Sequence, residues 1–247
     1  MRLKKMSKYT DSYRVRVGDA DKNGLLKAPS LLGMLQEAAN DHAEALEIGA
    51  TNLNPMGLGW ALYKLFVKIS RMPSRGEMVS VKTWPSVRNK IYTEREFVLS
   101  DDLGDTVACA RTQWVLFDLK KRRLERLDVL GQWPQTEEFP CDFVFSNSLK
   151  APDAEKAFKS NFGVRKDDID MNGHVNNSVY LTWALEPVPD EFTDRKRPAE
   201  LELAYISEVF RGQRLDSICE MRGGESLHSV VSEGKERVRA RVSWADV

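Results

Sequence analysis

The sequence is poor in the residues that most often build metal centres and covalent catalysts. Its 247 residues include three cysteines and three histidines. Cys109, Cys141 and Cys219 form no C-x-x-C pair, and their odd number reads as free thiols in a reducing cytosol. His42, His174 and His228 are too scattered for a zinc site. Charge of either sign is not in excess: 37 basic residues balance 37 acidic ones, so no global field draws nucleic acid. No apolar run is long enough to span a bilayer, which argues against membrane insertion. The basic opening "MRLKKMSKYT" leads into no apolar stretch, so no secretion signal is expected and the cytoplasm is the expected location. The triplet Asn176-Asn177-Ser178 then carries no glycosylation message. G-x-S-x-G, P-loop and dinucleotide fingerprints are all missing, and no cofactor is expected.

What is present is an ordinary globular composition, 42% hydrophobic and 30% charged, in a length that suits one large domain or two small ones. An internal repeat decides between them. Asp19, Asp21, Asn23 and Gly24 recur as Asp168, Asp170, Asn172 and Gly173. "RGEMVSV" from Arg75 resembles "RGQRLDS" from Arg211, and "ARTQW" from Ala110 resembles "ARVSW" from Ala240. The offsets are 149, 136 and 130 residues, in the same order along the chain. Three weak similarities in order indicate a duplicated domain.

Each copy opens with a helical stretch. In the first, Leu31, Leu35, Ala38, His42 and Ala45 recur at helical spacing, with Ser30 and Gly49 as expected caps. In the second, "NNSVYLTWALEPVP" is a shorter helix, capped by Asn176, Asn177 or Ser178 and ended by Pro187. Alternating segments follow in both: "WALYKLFVKI", "EMVSVKTWPSV", "YTEREFVLS" and "VACARTQWVLFDL", then "ELELAYI", "QRLDSICEM", "LHSVVSE" and "RVRARVSWADV". One helix and several antiparallel strands, twice over, predict an α+β fold. Residues 132–158 lack periodicity. The expected division is a first domain over 1–140, a linker over 141–158 and a second domain over 159–247.

"DADKNG" and "DIDMNG" both begin like an EF-hand loop, but its twelfth position is Ser30 in one and Val179 in the other. Without the bidentate Glu a hard cation loses two oxygen ligands. An acidic turn before a helix is the better reading of the first. The second differs by carrying His174 where the first has Leu25. Histidine is the side chain best suited to proton transfer near neutral pH. Were the loop locally extended, Asp170, Asn172 and His174 would share a face. The free N–H groups of the following helix could then stabilise an oxyanion. A surface or capping histidine is the competing reading. His42 is expected as a satisfied core histidine, and His228 has no acidic or Cys neighbour of the right type.

The stretch "DIDMNGHVNNSVYLTWALEPVP" resembles the signature of the acyl-acyl carrier protein thioesterases, with D-x-N-x-H-V-N-N followed by Y-x-x-W. The likeness extends to "YRVRVGDADKNGLLKAPSLLGMLQEAA". It implies two tandem hotdog domains, each an antiparallel sheet wrapped around a central helix. Acyl-chain binding is implied in the first and catalysis in the second. The family's Asp, Asn and His fall on Asp170, Asn172 and His174, and its later Glu on Glu208. Plant members carry a Cys directly after that Glu; Val209 stands there, which implies direct attack by water. The implied partner is an acyl carrier protein bearing a fatty acyl chain. The basic runs Lys120–Arg123 and Lys64, Lys68, Arg71 and Arg75 are its expected docking patches. An acyl-CoA thioesterase and a non-catalytic acyl-thioester-binding protein are the alternatives. Association of two copies as a homodimer is left open.

Overall fold

The computed structural model describes residues 7–170 and 173–246. They divide into two compact units: one runs to Phe143 without Lys64–Phe66, the other comprises Val144–Val247 with those three residues.

The first unit contains β1 (Tyr9–Arg14), α1 (Ala28–Ala45), α2 (Ala50–Leu53), β2 (Leu58–Ile69), β3 (Met78–Arg88), β4 (Tyr92–Asp101), β5 (Thr106–Asp118) and β6 (Arg123–Glu125). Its strands lie in the order β1-β3-β4-β5-β2, with β6 on β5. Helix α1 packs against the sheet because its apolar positions fall on one face: Leu31, Leu35, Ala38 and His42 are all buried. Val81 of β3, Phe97 and Leu99 of β4 and Ala110 of β5 are buried at alternate sheet positions, on the side of β4 from which Arg95 reaches His42 of the helix. Each large apolar side chain so buried contributes about 1.5–3 kcal/mol.

The helix starts at Ala28 rather than after Ser30, with Lys27 at the cap and no side-chain cap bond. Pro29 fits its first turn, where no N–H partner is needed. The chain reverses after the helix at Glu47, with φ of 60°, not at Gly49. Gly49 lies instead under the Glu44 carboxylate, the end of a flexible side chain that a larger residue would push aside. A Cβ there would lie 2.3 Å from Glu44 Cδ, whose Oε1 accepts the Thr51 N–H at 3.1 Å.

The second unit contains β7 (Phe158–Gly163), α3 (Asn177–Leu185), α4 (Asp190–Thr193), β8 (Lys196–Tyr205), β9 (Arg214–Arg222), β10 (Glu225–Ser232) and β11 (Lys235–Asp246). Its order, β7-β9-β10-β11-β8, repeats that of the first unit strand for strand. The registers repeat as well: Tyr9 faces Thr83 in one and Phe158 faces Cys219 in the other, at the sequence offsets of 149 and 136. β1 and β7 went unpredicted. They are edge strands with no buried residue in β7 and none in β1, so their alternation runs between half-exposed and exposed. Asn176 caps α3 through its side-chain oxygen, and the helix stops before Pro187.

Of the stretch 132–158, residues 132–157 hold neither helix nor strand, yet they are firmly tied. In the first unit Trp84 Nε1 donates to the Glu138 carbonyl (3.0 Å) and Arg111 Nη1 to that of Phe143 (2.5 Å). Cys141 is disulfide-bonded to Cys109 of β5. In the second unit Arg239 of β11 donates to the Leu149 carbonyl (2.7 Å), and Glu220 of β9 accepts the Asp153 N–H (2.7 Å). The expectation of three free thiols is therefore corrected: this strap brings Cys141 back to β5 across 32 residues, a return no local pattern announces. Cys219 is the free one. Burial pushes its thiol up to about 12, so it stays protonated and inert. The bridge also removes the thiol argument for a reducing compartment. Among the described residues no helix is long and apolar enough to cross a membrane.

Candidate active site

The two acidic loops fold as twins. In the first unit Ala20 and Leu26 form a bridge, the Asp21 N–H donates to the Leu25 carbonyl (2.8 Å), and Gly24 takes φ of 76°. In the second, Ile169 and Val175 form the bridge, the Asp170 N–H donates to the His174 carbonyl (2.9 Å), and Gly173 takes φ of 79°. Both are tight turns, not extended segments. The shared-face expectation is thus corrected: a left-handed glycine reverses the chain and brings residue 170 back to 174. Asp21 spends its carboxylate oxygen on the N–H groups of Asn23 (2.8 Å) and Leu25 (3.0 Å), which explains the acidic residue without a cation. Each turn is preceded by an arginine and aspartate closing a reciprocal cap, Arg16 with Asp19 and Arg165 with Asp168.

Their settings differ. The first turn is fastened to the segment after β2: Leu26 N–H to Pro73 O (2.8 Å), Arg75 N–H to Gly24 O (2.8 Å) and a bridge from Leu25 to Ser74. The corresponding segment after β8 is Glu208–Arg211, and no such main-chain bonds join it to residues 173–175 among the described residues. Instead two polar side chains face each other. His174 Nε2 lies 3.8 Å from Glu208 Oε1, both groups partly open to solvent. The 136-residue offset holds on both sides of Glu208. Ser70 and Arg71 donate to Val107 as Ile206 and Ser207 donate to Arg237. By that offset Glu208 occupies the place of Met72, and by the 149-residue offset of the acidic loops His174 occupies that of Leu25.

Three further groups set this pair, and the sequence reading missed them. Phe210 stands edge-on to the His174 ring, with centroids 5.7 Å apart. Arg237 of β11 donates through Nη1 to the Glu208 carbonyl (3.0 Å) and to Ser207 Oγ (3.2 Å). The Tyr180 hydroxyl of α3 accepts the Val209 N–H at 2.9 Å. Burial, joined by the nearby Glu208 and Asp170 carboxylates, pushes the Tyr180 phenol up to about 12 against the Val209 N–H. Of these only Tyr180 had a sequence signal, one turn into the helix that follows the loop. Asp170, His174 and Glu208 are thus drawn together in one unit; Asn172 lies outside the described residues. The expected oxyanion donors narrow as well. Asn176 N–H goes to Asp168 O, Ser178 N–H to Asn176 Oδ1 and Val179 N–H to Asn176 O, which leaves the Asn177 N–H.

The other histidines are structural. His42 Nδ1 accepts from Arg95 Nη1 (2.9 Å), and its ring stacks on Tyr9, as a satisfied core residue should. His228 Nδ1 donates to the Ala184 carbonyl and Nε2 accepts from Ser226 Oγ, each at 2.7 Å. Burial holds its pKa down at about 4. The first unit has a cleft between α1 and the sheet, walled by Ala39 and Ala43 of α1, Trp60 of β2 and Trp133 of the strap. Of the basic patches, Lys64 donates to Ser146 O (2.8 Å) and Arg71 pairs with Glu77 and Asp101, whereas Lys120–Arg123 form an exposed turn.

A model of the acyl-ACP thioesterase N-terminal domain matches residues 6–129, and one of the C-terminal domain matches residues 151–246. The chain belongs to the acyl-ACP thioesterase family. An acyl-ACP thioesterase structure from Bacteroides thetaiotaomicron superposes with a TM-score of 0.87 at 26% identity, over 97% of this chain and 98% of that one. The 12:0-ACP thioesterase of Umbellularia californica superposes with a TM-score of 0.86 at 23% identity, a likeness of fold. Oleoyl-acyl carrier protein thioesterase 1 of Arabidopsis thaliana is 28% identical over 227 residues, 85% of this chain and 63% of its own length. The chain therefore spans a little under two thirds of such plant relatives. The two repeated units are the two hotdog domains of this acyl-ACP thioesterase fold, each one sheet with one helix packed on it.

Proposed function

We propose that this protein hydrolyses fatty acyl thioesters of acyl carrier protein, giving the free fatty acid and the carrier thiol. The observation that carries the proposal is the His174–Glu208 pair, 3.8 Å apart beside the α3 N-terminus, in the copy where the sister residues are Leu25 and Met72. Glu208 takes a proton from water as its oxygen attacks the thioester carbonyl carbon. His174 orients that water, accepts the proton from Glu208 and passes it to the sulfur as the C–S bond breaks, which leaves both groups as they began. Asp170 holds the turn closed, and Asn172, two residues before His174, positions the water. The Asn177 N–H and the α3 dipole stabilise the charge on the carbonyl oxygen. A cysteine nucleophile has no place in this scheme: Val209 is fully buried beside Glu208, and the only free thiol, that of Cys219, is buried.

The apolar, tryptophan-lined cleft of the first domain is assigned to the acyl chain, in keeping with the usual character of such pockets. The exposed Lys120–Arg123 turn is assigned to docking the acidic carrier. The test is release of free thiol from carrier-protein thioesters of graded chain length, run beside the matched coenzyme A thioesters. Faster turnover of the carrier-protein series supports the proposal. Faster turnover of the coenzyme A series makes it an acyl-CoA thioesterase. Binding without turnover of either makes it an acyl-thioester sensor.

A further inference from the structure

The cleft of the first domain holds more than an apolar chain requires. Arg95 projects from the helix-facing side of β4 into its wall and is only 7% exposed. Its Nη1 donates to His42 Nδ1 (2.9 Å) and to Thr83 Oγ1 (3.3 Å), both uncharged acceptors. Burial alone shifts its pKa, down to about 10, so it is cationic at neutral pH and no carboxylate offsets its desolvation. Glu94 also lines the cleft, but its carboxylate accepts from Gln113 Nε2 at 3.0 Å. Beside this cation stands a donor that is unmet. Trp133 Nε1, buried in the same cleft, has no hydrogen-bond partner among the described residues.

The fold itself does not demand a cation at this place. Arg95 faces Pro85 across the sheet, and in the second domain the matching pair is Ser226 facing Met221. There the small hydroxyl hydrogen-bonds to His228 and Trp244. Most of the remaining walls, among them Ala43, Ile48, Trp60 and Pro85, are apolar, with Asn40 and Thr93 the polar exceptions. A buried guanidinium and an indole N–H, both donors, at one apolar slot call for a ligand with an apolar body and an anionic acceptor end.

We propose that this cleft binds an apolar chain tipped by a carboxylate, with Arg95 as its cation and Trp133 Nε1 as a neutral donor. Two sources share that chemistry: a free fatty acid, and an acyl group that carries a second carboxylate at the end remote from its thioester. Charge-assisted hydrogen bonds are about twice as strong as neutral ones, and Arg can offer two together.

The test is calorimetric titration of the full chain with decanoate and, separately, decan-1-ol. Decanoate should bind about ten-fold or more tightly. Equal affinities in the unaltered protein overturn the proposal without any variant. Arg95→Met should erase the difference, and Trp133→Phe should reduce it several-fold. His174→Ala should leave decanoate binding unchanged. Loss of binding in His174→Ala with retention in Arg95→Met would place the carboxylate at the other site and also overturn the proposal. If Arg95→Met does not fold, the two-ligand comparison and Trp133→Phe still decide. Carrier-protein thioesters of decanoyl and 9-carboxynonanoyl groups then separate the sources. A preference for the second assigns the cleft to the remote end of the substrate, and equal rates assign it to free acids. The titrations need no turnover, so failure of the hydrolase reading and failure of this one are distinguishable.

Discussion

The two acidic turns share a backbone and part company in two side chains and two main-chain bonds. In the first domain, where the paired positions are Leu25 and Met72, main-chain bonds fasten the turn onto the Pro73–Arg75 segment. In the second, His174 and Glu208 stand at those places and no such fastening occurs among the described residues. The contrast separates what the fold needs from what chemistry needs. The turn, its glycine and the arginine–aspartate cap occur in both copies and serve to present the helix. Under the proposed function, it is the exchange of an apolar pair for a proton-carrying one that would let water and a thioester meet in the second domain.

The sharpest way to break this comparison is to rewrite the second turn as the first. His174→Leu with Glu208→Met should cut kcat/KM on acyl carrier protein thioesters by about 10²–10⁴ or more while the melting temperature holds. Both side chains are partly exposed, so their loss creates no cavity. His174→Ala alone should show most of the effect, and full activity in it would remove the histidine from the mechanism. The reverse exchange, Leu25→His with Met72→Glu, should create no hydrolysis. It should also lower stability by on the order of 3 kcal/mol in urea titration, because Met72 is buried and a carboxylate there has no built partner.

A third difference between the domains is His228, which stands where the first domain has Phe97. Its folded pKa of about 4 lies below the unfolded value of about 6.5, so the unfolded chain takes up the proton first. Its contribution to stability is present above pH 6.5 and is lost as pH falls towards 4. Unfolding free energy should drop by on the order of 2 kcal/mol between pH 7 and pH 5 on this account. His228→Phe, copying the first domain, should flatten that slope; an unchanged slope would reassign it to other groups. The smallest expected effect is that of Tyr180→Phe, which removes the acceptor of the Val209 N–H. It should cost about 1 kcal/mol in stability and slow turnover by a few-fold through a looser Glu208.

Much of the fold was legible because it is written twice. Periodicity marked both long helices and the eight interior strands, and the repeat fixed their order. The edge strands Tyr9–Arg14 and Phe158–Gly163 escaped because only one of their sides meets another strand and neither side is buried. His174 could be read directly, since it interrupts the repeat at Leu25. Glu208 needed the family resemblance, because its counterpart Met72 lies in a loop with no pattern of its own. Arg237 was out of reach, and Tyr180 was visible only as a helix residue after the loop: they act on backbone atoms of residues 208 and 209, each 29 positions away in sequence. The same holds for Cys141, whose partner is chosen by the course of an irregular strap.

That strap is secured differently in the two domains. Counting along the 130-residue repeat, Cys109 sits where the second domain has Arg239, so a covalent clasp in one stands opposite a hydrogen bond to Leu149 in the other. Closing a ring of this size restricts the unfolded chain by about 3–4 kcal/mol. Dithiothreitol should therefore lower the melting temperature of the native chain and leave that of Cys141→Ser unmoved. Made under oxidising and under reducing conditions, one gene product would amount to two materials of unequal heat tolerance, with the first hotdog alone recording where it was assembled.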